Sequence, residues 1–236
     1  MSASRSKPAP QPAAKHAAPR LARGRHPLTQ QAVADSQRAR LLQAVASVVA
    51  GKGYGAATVA DVIALAGVSR RTFYEFFPKL EDCYLAAYED GMRHLFHVIG
   101  EAVAQLPKGD WRERTRTAIR AYLNELAAQP DPAWAYTIEV LGAGRPALQA
   151  RAWVNEQWKA QWETLHALRM AAEPGTLPID EAQLLALVGG IEELVRDCLQ
   201  RQGAQHLPEL QAPVSRFALT VLDAASPAKP GRRAAI

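Results

Sequence analysis

From about residue 36 to 225 the apolar positions recur with the period of a helix, and nowhere with the alternation of a strand and its hairpin punctuation. Leu42, Val45, Ala46 and Val49 stand at i, i+3, i+4 and i+7, one stripe on a first helix opened by Asp35 or Ser36 and ended by Gly51 and Gly53. Thr58-Val-Ala-Asp61 reads as a capping box for a second helix, with Asp in place of the usual Glu. Val59, Val62, Ile63 and Ala66 form that helix's inner face. Gly67 supplies a turn, Val68 fills the corner, and Ser69 caps a third helix over about 70–77. On this short helix Phe73, Phe76 and Phe77 point one way, into a core, while Arg70, Arg71 and Tyr74 share the other side and Thr72 lies on the flank. A helix so short has to lean on its neighbours. Two short apolar helices around a Gly-Val-Ser corner, the second with a basic and aromatic outer face, make a helix-turn-helix pattern.

Beyond Pro78 the spacing predicts six more helices, over about 80–104, 111–128, 131–141, 146–172, 180–202 and 208–224, separated by Pro- and Gly-containing breaks. The first opens with Glu81 and Asp82 at its positive end. The fold class is therefore all-α, a three-helix N-terminal unit followed by a helical body, with no internal repeat. The expected divisions are a disordered basic arm at 1–34, a helix-turn-helix domain at 35–80, a helical domain at 81–225 and a disordered basic tail at 226–236.

Charge alters one part of this picture. The 236 residues carry a net charge of +5 and a pI near 9.4. Six Lys/Arg lie in the first 34 residues (Arg5, Lys7, Lys15, Arg20, Arg23, Arg25) and three in the tail (Lys229, Arg232, Arg233), with no acid in either segment. Removing those nine charges from the net +5 leaves residues 35–225 at −4, so the basic pI belongs to the ends and is no argument for nucleic-acid binding by the folded part. The Ala/Pro-rich arm lacks the apolar surface to offset ordering entropy. It serves either as an inert solubilising tail or as a basic arm adding phosphate or minor-groove contacts.

No apolar run approaches the ~20 residues that span a bilayer, and the N-terminus lacks the apolar core of a signal peptide, which predicts a cytoplasmic protein without membrane partners. Cys83 and Cys198 form no CxxC and read as small apolar side chains of a reducing compartment. There is no GxSxG, HExxH, P-loop or GxGxxG. His94 and His97 share a helix face without a third ligand, so neither a metal nor a cofactor is expected. An enzyme is the weaker class of reading.

The segment from about Ser36 to Tyr88 resembles the DNA-binding domain of the TetR family of bacterial transcriptional regulators. The resemblance rests on the first-helix stripe, Gly53-Tyr54, Thr58-Val59, Ile63-Ala64, Ala66-Gly67-Val68-Ser69, Thr72-Phe73-Tyr74, Phe77 and Glu81. It implies that Thr58 and Tyr74 touch phosphates and that Arg70, Arg71 and Thr72 reach base edges or backbone, with Ser69 and Lys79 alongside. Arg can grip guanine O6 and N7 bidentately, and helix N-termini favour phosphate. One departure stands out: the family commonly has a phosphate-gripping Lys just before the Glu of helix four, where this chain has Leu80 with Lys79 one step earlier. Glu75 would repel phosphate, accept from cytosine N4, or pair with Arg71 across one turn.

The resemblance further implies a ligand-binding body and a dimer built by the last two helices. Leu184, Leu187, Val188, Ile191, Leu194 and Val195, with Phe217 and Val221 of the last helix, are the expected interface, unless these stripes face the protomer's own core. Gly189-Gly190 within the helix suggests close helix approach. Met92, Phe96, Tyr122, Trp134, Tyr136, Trp153, Trp158 and Trp162 are either ordinary core or the lining of an aromatic pocket for an apolar, aromatic or cationic small molecule. Arg145, Glu139, His166 and Arg169 are unranked candidates for a polar anchor. The expected function is a homodimeric repressor that an effector releases from a palindromic operator in double-stranded DNA. The alternative is a regulator that activates or answers to no ligand.

Overall fold

The computed structural model describes residues 29–107 and 110–224. Among them are nine α-helices and no strand: α1 Gln30–Lys52, α2 Val59–Ala66, α3 Arg70–Phe76, α4 Leu80–Ala104, α5 Trp111–Ala128, α6 Pro130–Thr137, α7 Arg145–Ala172, α8 Glu181–Arg201 and α9 Gln211–Ala224. Residues 1–28 of the expected arm, and the expected tail at 226–236, lie outside the described residues.

Three boundaries differ from those read in the sequence. The first helix starts at Gln30, with Thr29 as N-cap accepting from the Ala32 N–H, so residues 30–34 belong to the fold and not to an arm. Asp35 is an ordinary position on that helix, its carboxylate taken by Gln31 one turn earlier. The expected helix over 131–141 stops at Thr137 and gives way to a 3-10 turn, Glu139–Gly142. Likewise a 3-10 turn, Ala204–Leu210, precedes the last helix. Pro208 sits in this tighter turn, where its missing N–H does not break an α-helical ladder.

Helices α1, α2 and α3 close on a core of Leu41, Val45, Val49, Val62, Phe73 and Phe77. Both parts of the turn hold as their residues dictate. Thr58 and Asp61 cap α2 reciprocally, and Gly67 ends it in the left-handed region at φ 63°. Arg40 of α1 reaches across to the Ala66 and Gly67 carbonyls at 2.8 and 3.2 Å, satisfying the acceptors that the end of α2 leaves open. Lys52 at the end of α1 pairs with Asp61 and lowers its carboxyl below the usual range.

Helix α4 joins the two parts: it packs on α1 at its start and on α5 and α7 further along. Cys83 and Tyr84 are fully buried beneath α1, and desolvation pushes the Cys83 thiol up to about 12, so it is an inert core group. The body closes at its far end through a charged network. Arg169, 3% exposed, pairs with Glu173 and Asp223 and donates to the Leu222 carbonyl. Arg112 binds the same two carboxylates and lies 4.0 Å over the Trp111 ring.

Candidate functional site

Two places in the fold have the geometry of a site. The first is the outer side of α3. Phe73 is fully buried and Phe77 nearly so, with Phe76 half-buried beside them, so the aromatic side braces the helix as its spacing required. Arg70, Arg71 and Tyr74 are left exposed, Tyr74 with half its surface in solvent. The two arginines differ in their engagement. Arg71 donates to Glu75 at 3.0 Å, so Glu75 neutralises its neighbour one turn away and not a base or a phosphate. Arg70 makes no ion pair or hydrogen bond among the described residues and stands at the N-terminus of the helix, where a phosphate or a base edge is equally accessible.

The remaining expected contacts are close by but occupied. Ser69 accepts from the Thr72 N–H at 3.0 Å, and their hydroxyls share a bond at 2.9 Å. The Thr58 hydroxyl is held by Asp61 at 2.7 Å. Lys79 pairs with Glu81, which raises its pKa. Leu80 leans on the core, so a phosphate contact from Lys79 requires it to leave Glu81. Arg38 of α1, which the sequence reading did not single out, stands 5.9 Å over the Phe77 ring.

The second place is a cavity of about 50 Å³ between α4, α5, α7 and α8, lined by Ile99, Ala118, Ile119, Tyr122, Trp158, Trp162, Val188, Ile191 and Glu192. Three of the eight expected pocket residues line it (Tyr122, Trp158, Trp162), and Phe96 stacks on Trp158 at 4.5 Å behind the wall. The other four are elsewhere. Trp153 is 47% exposed on the outer face of α7, because it lies five residues from Trp158 and so on a different side of the helix. Trp134 gives its indole N–H to Glu139 at 3.2 Å. Tyr136 wedges against Gly91 between the Tyr84 and Tyr88 rings, and Met92 is core.

None of the four unranked polar candidates lines the cavity: Arg145 is exposed, Glu139 meets the N-terminal unit, His166 binds the Leu177 carbonyl at 2.8 Å, and Arg169 sits in the far network. The polar group at the wall is Glu192, half-buried and gripped by Arg151 and Arg196. Burial first, then the nearby Glu192, raises the pKa of both Tyr88 and Tyr122, so these phenols stay protonated. The i, i+4 spacing of Glu192 and Arg196 was visible in the sequence; Arg151, forty-one positions from Glu192, was not.

The expected interface needs the largest correction. Leu184, Leu187, Val188, Ile191 and Val195 are at most 7% exposed within a single protomer and belong to its own core. Leu194, at the edge of that stripe, is 39% exposed, and Phe217 and Val221 are half-buried against the core. A strongly apolar helical stripe goes to the nearest core, and here the 3-10 turn at 204–210, α7 and α9 supply one. Phe217 covers Gly190, where an added Cβ would lie 2.8 Å from the ring; Gly189 next to it is open. The face of α8 left exposed is Ala182, Leu185, Ala186 and Gly189.

His94 binds Glu125 and His97 pairs with Glu101, each with its own acid. Among the described residues no three His, Cys, Asp or Glu are grouped to hold a metal ion, and no helix is long and apolar enough to cross a membrane.

Residues 41–87 match the family described as bacterial regulatory proteins, tetR family. No curated protein matches the chain in sequence. Similar solved structures include the fatty acid degradation regulator FadR from Bacillus halodurans, 22% identical with a TM-score of 0.65 over 78% of this chain and 94% of that one. FadR from Bacillus subtilis in complex with stearoyl-CoA is 17% identical, with a TM-score of 0.68 over 78% of this chain and 98% of that one. A TetR-family regulator from Syntrophomonas wolfei is 18% identical, with a TM-score of 0.65 over 80% and 96%. Residues 41–87 are thus matched by the N-terminal domain of the tetR family of bacterial regulatory proteins, and the chain shares the fold of solved TetR-family regulators along most of its length.

Proposed function

We propose that the protein is a homodimeric repressor that holds a palindromic operator and lets go of it when an apolar small molecule enters the body. The observation that carries the reading is α3, whose aromatic side is locked into the three-helix core while Arg70 is presented without a partner among the described residues. A rigid brace behind a free guanidinium is what sequence reading in a major groove needs. Two-fold symmetry of the protein then matches two-fold symmetry of the site.

The exposed strip of Ala182, Leu185, Ala186 and Gly189 on α8, beside the half-exposed Phe217 and Val221, is the proposed contact between protomers. It replaces the buried stripe as the surface offered to a second copy.

The cavity favours an apolar effector over a cationic one. Its walls are hydrocarbon and aromatic, and the carboxylate of Glu192 is already paired with Arg151 and Arg196, so it is not offered to a cation. At about 50 Å³ the space is far below the roughly 300–1,000 Å³ of a ligand-filled pocket, so an effector must part α4, α5, α7 and α8 to enter. That requirement is the source of the proposed switch: a ligand that fits only the opened body shifts the protein toward it. The stearoyl-CoA bound by the Bacillus subtilis relative supports placing long-chain acyl compounds in the first set of effectors to try.

Selection of genomic fragments by the full-length protein, followed by competition with acyl compounds and uncharged aromatics, tests the reading. The expected result is enrichment of one palindrome and its release by an apolar compound that also quenches tryptophan fluorescence. Enrichment without release by any compound favours the ligand-independent alternative; no enrichment overturns the proposal.

A further inference from the structure

Glu139 lies on neither the reading face nor the cavity wall, and the structure gives it a different task. It opens the 3-10 turn between α6 and α7 and reaches out of the body to the loop that precedes α2. One carboxylate oxygen accepts the Tyr54 main-chain N–H at 2.9 Å, and the other accepts the Trp134 indole N–H at 3.2 Å. Gly53 beside it holds φ at 82°, a conformation that favours glycine, and a Cβ there would stand in ordinary contact with the carboxylate oxygen at 3.5 Å. The same loop is tied to α6 a second time, since the Tyr54 ring lies 5.0 Å from the Tyr84 ring and the Tyr84 hydroxyl donates to the Ala135 carbonyl at 2.7 Å.

A bond from a carboxylate to a main-chain amide fixes backbone position, and a charged acceptor makes it stronger than a neutral pair. The amide in question is four residues before Thr58, the cap of α2. Helices α2 and α3 are joined by the tight Gly67 turn and share a core, so they move together. Wherever Glu139 holds the loop, α3 follows.

We propose that Glu139 is a positioning residue that sets the separation of the two reading helices, and through it the half-site spacing the protein accepts. This rests on the dimeric, palindrome-binding reading above. A change of one base pair between half-sites moves them by about 3.4 Å and turns one against the other by roughly 35°. A loop held by a bond rejects such a change; a loop set free follows it.

The test uses the full-length protein, its selected palindrome, and the same palindrome with one base pair added to or taken from the centre. Wild type is expected to bind the altered sites at least about tenfold more weakly. In Glu139→Ala that penalty should shrink to about threefold or less, while the preference among bases within each half-site stays unchanged. Glu139→Gln keeps an oxygen for the Tyr54 N–H and should retain most of the discrimination. Trp134→Phe removes the other bond only and should retain it as well. Glu139→Ala that discriminates like wild type, or that weakens all three sites equally, overturns the assignment and leaves the proposed function intact. Trp134→Phe that relaxes spacing as far as Glu139→Ala also overturns it, since the effect then lies in the packing of the indole. A wild type with no palindrome preference overturns both proposals. Hydrogen exchange gives an arm that needs no DNA: the Tyr54 amide should exchange about tenfold faster in Glu139→Ala, and an unchanged rate contradicts the proposal.

Discussion

Arg70 and Arg71 are neighbours in sequence, yet the fold gives them different standing. Arg71 is compensated by Glu75, and Arg70 by nothing among the described residues. Arg71→Ala should therefore cost less operator affinity than Arg70→Ala, because Arg71 contacts DNA only by giving up its pair with Glu75. Competition binding of the two variants on one operator checks the order. Glycine positions give a sharper contrast within one helix. At Gly91 of α4 a Cβ would lie 2.6 Å from the buried Tyr136 ring, which Tyr84 and Tyr88 hold in place. At Gly100 of the same helix it would meet open space. Gly100→Ala should stabilise the protein by up to about 1 kcal/mol through helix propensity. Gly91→Ala should destabilise it, since overpacking of about 1–3 kcal/mol outweighs the same gain. Urea midpoints of the two variants read both signs.

At the scale of elements, the caps and the punctuation were legible and the partners were not. The reciprocal Thr58–Asp61 cap, the Gly67 turn and the aromatic brace of α3 follow from local spacing, and each is where that spacing puts it. The start of α1 was misplaced because Thr29 and Asp35 are both acceptable caps, and only the Thr29 contact with the Ala32 N–H decides between them. The stripe on α8 left a second copy and the protomer's own core as possible neighbours, since periodicity reports which face is buried and not against what. The tryptophans divided for a related reason: Trp158 and Trp162 share a face, while Trp153 turns away from it.

The far network carries a pH prediction of its own. Arg169, then Trp111 and Arg112, hold the Glu173 carboxyl down to about 2, against an ordinary 4.5. The folded state binds this proton more weakly than the unfolded chain, so the contribution to stability is full above pH 4.5 and is lost as pH falls toward 2. Melting curves of wild type and Glu173→Gln should therefore converge between about pH 4.5 and 2, wild type losing the more. A constant gap across that window contradicts the role given to Glu173.

For the whole molecule, the parts are contiguous from the cavity to the loop before α2: Tyr88 near Glu192, Tyr136 against Tyr88 and Gly91, α6 held to α4 through Ala135 and Tyr84, and Glu139 bound to the Tyr54 amide. Contiguity alone is not coupling, which needs two states that both ends favour differently. Assembly is the nearer test. Leu185→Glu places a charge on the exposed strip of α8 and should give a folded monomer by light scattering, whereas Leu187→Glu buries the charge in the core and should not fold. A Leu185→Glu dimer as tight as wild type would move the interface elsewhere.

Operator reading by the exposed side of α3 is the proposal on which the others depend. Equilibrium binding of wild type and Arg70→Ala to the selected palindrome and to random duplex, at one salt concentration, tests it most directly. The expected result is a loss of about 1–3 kcal/mol for each reading helix on the palindrome, little change on random DNA and an unchanged melting temperature. Equal losses on both DNAs, or none on the palindrome, would contradict it.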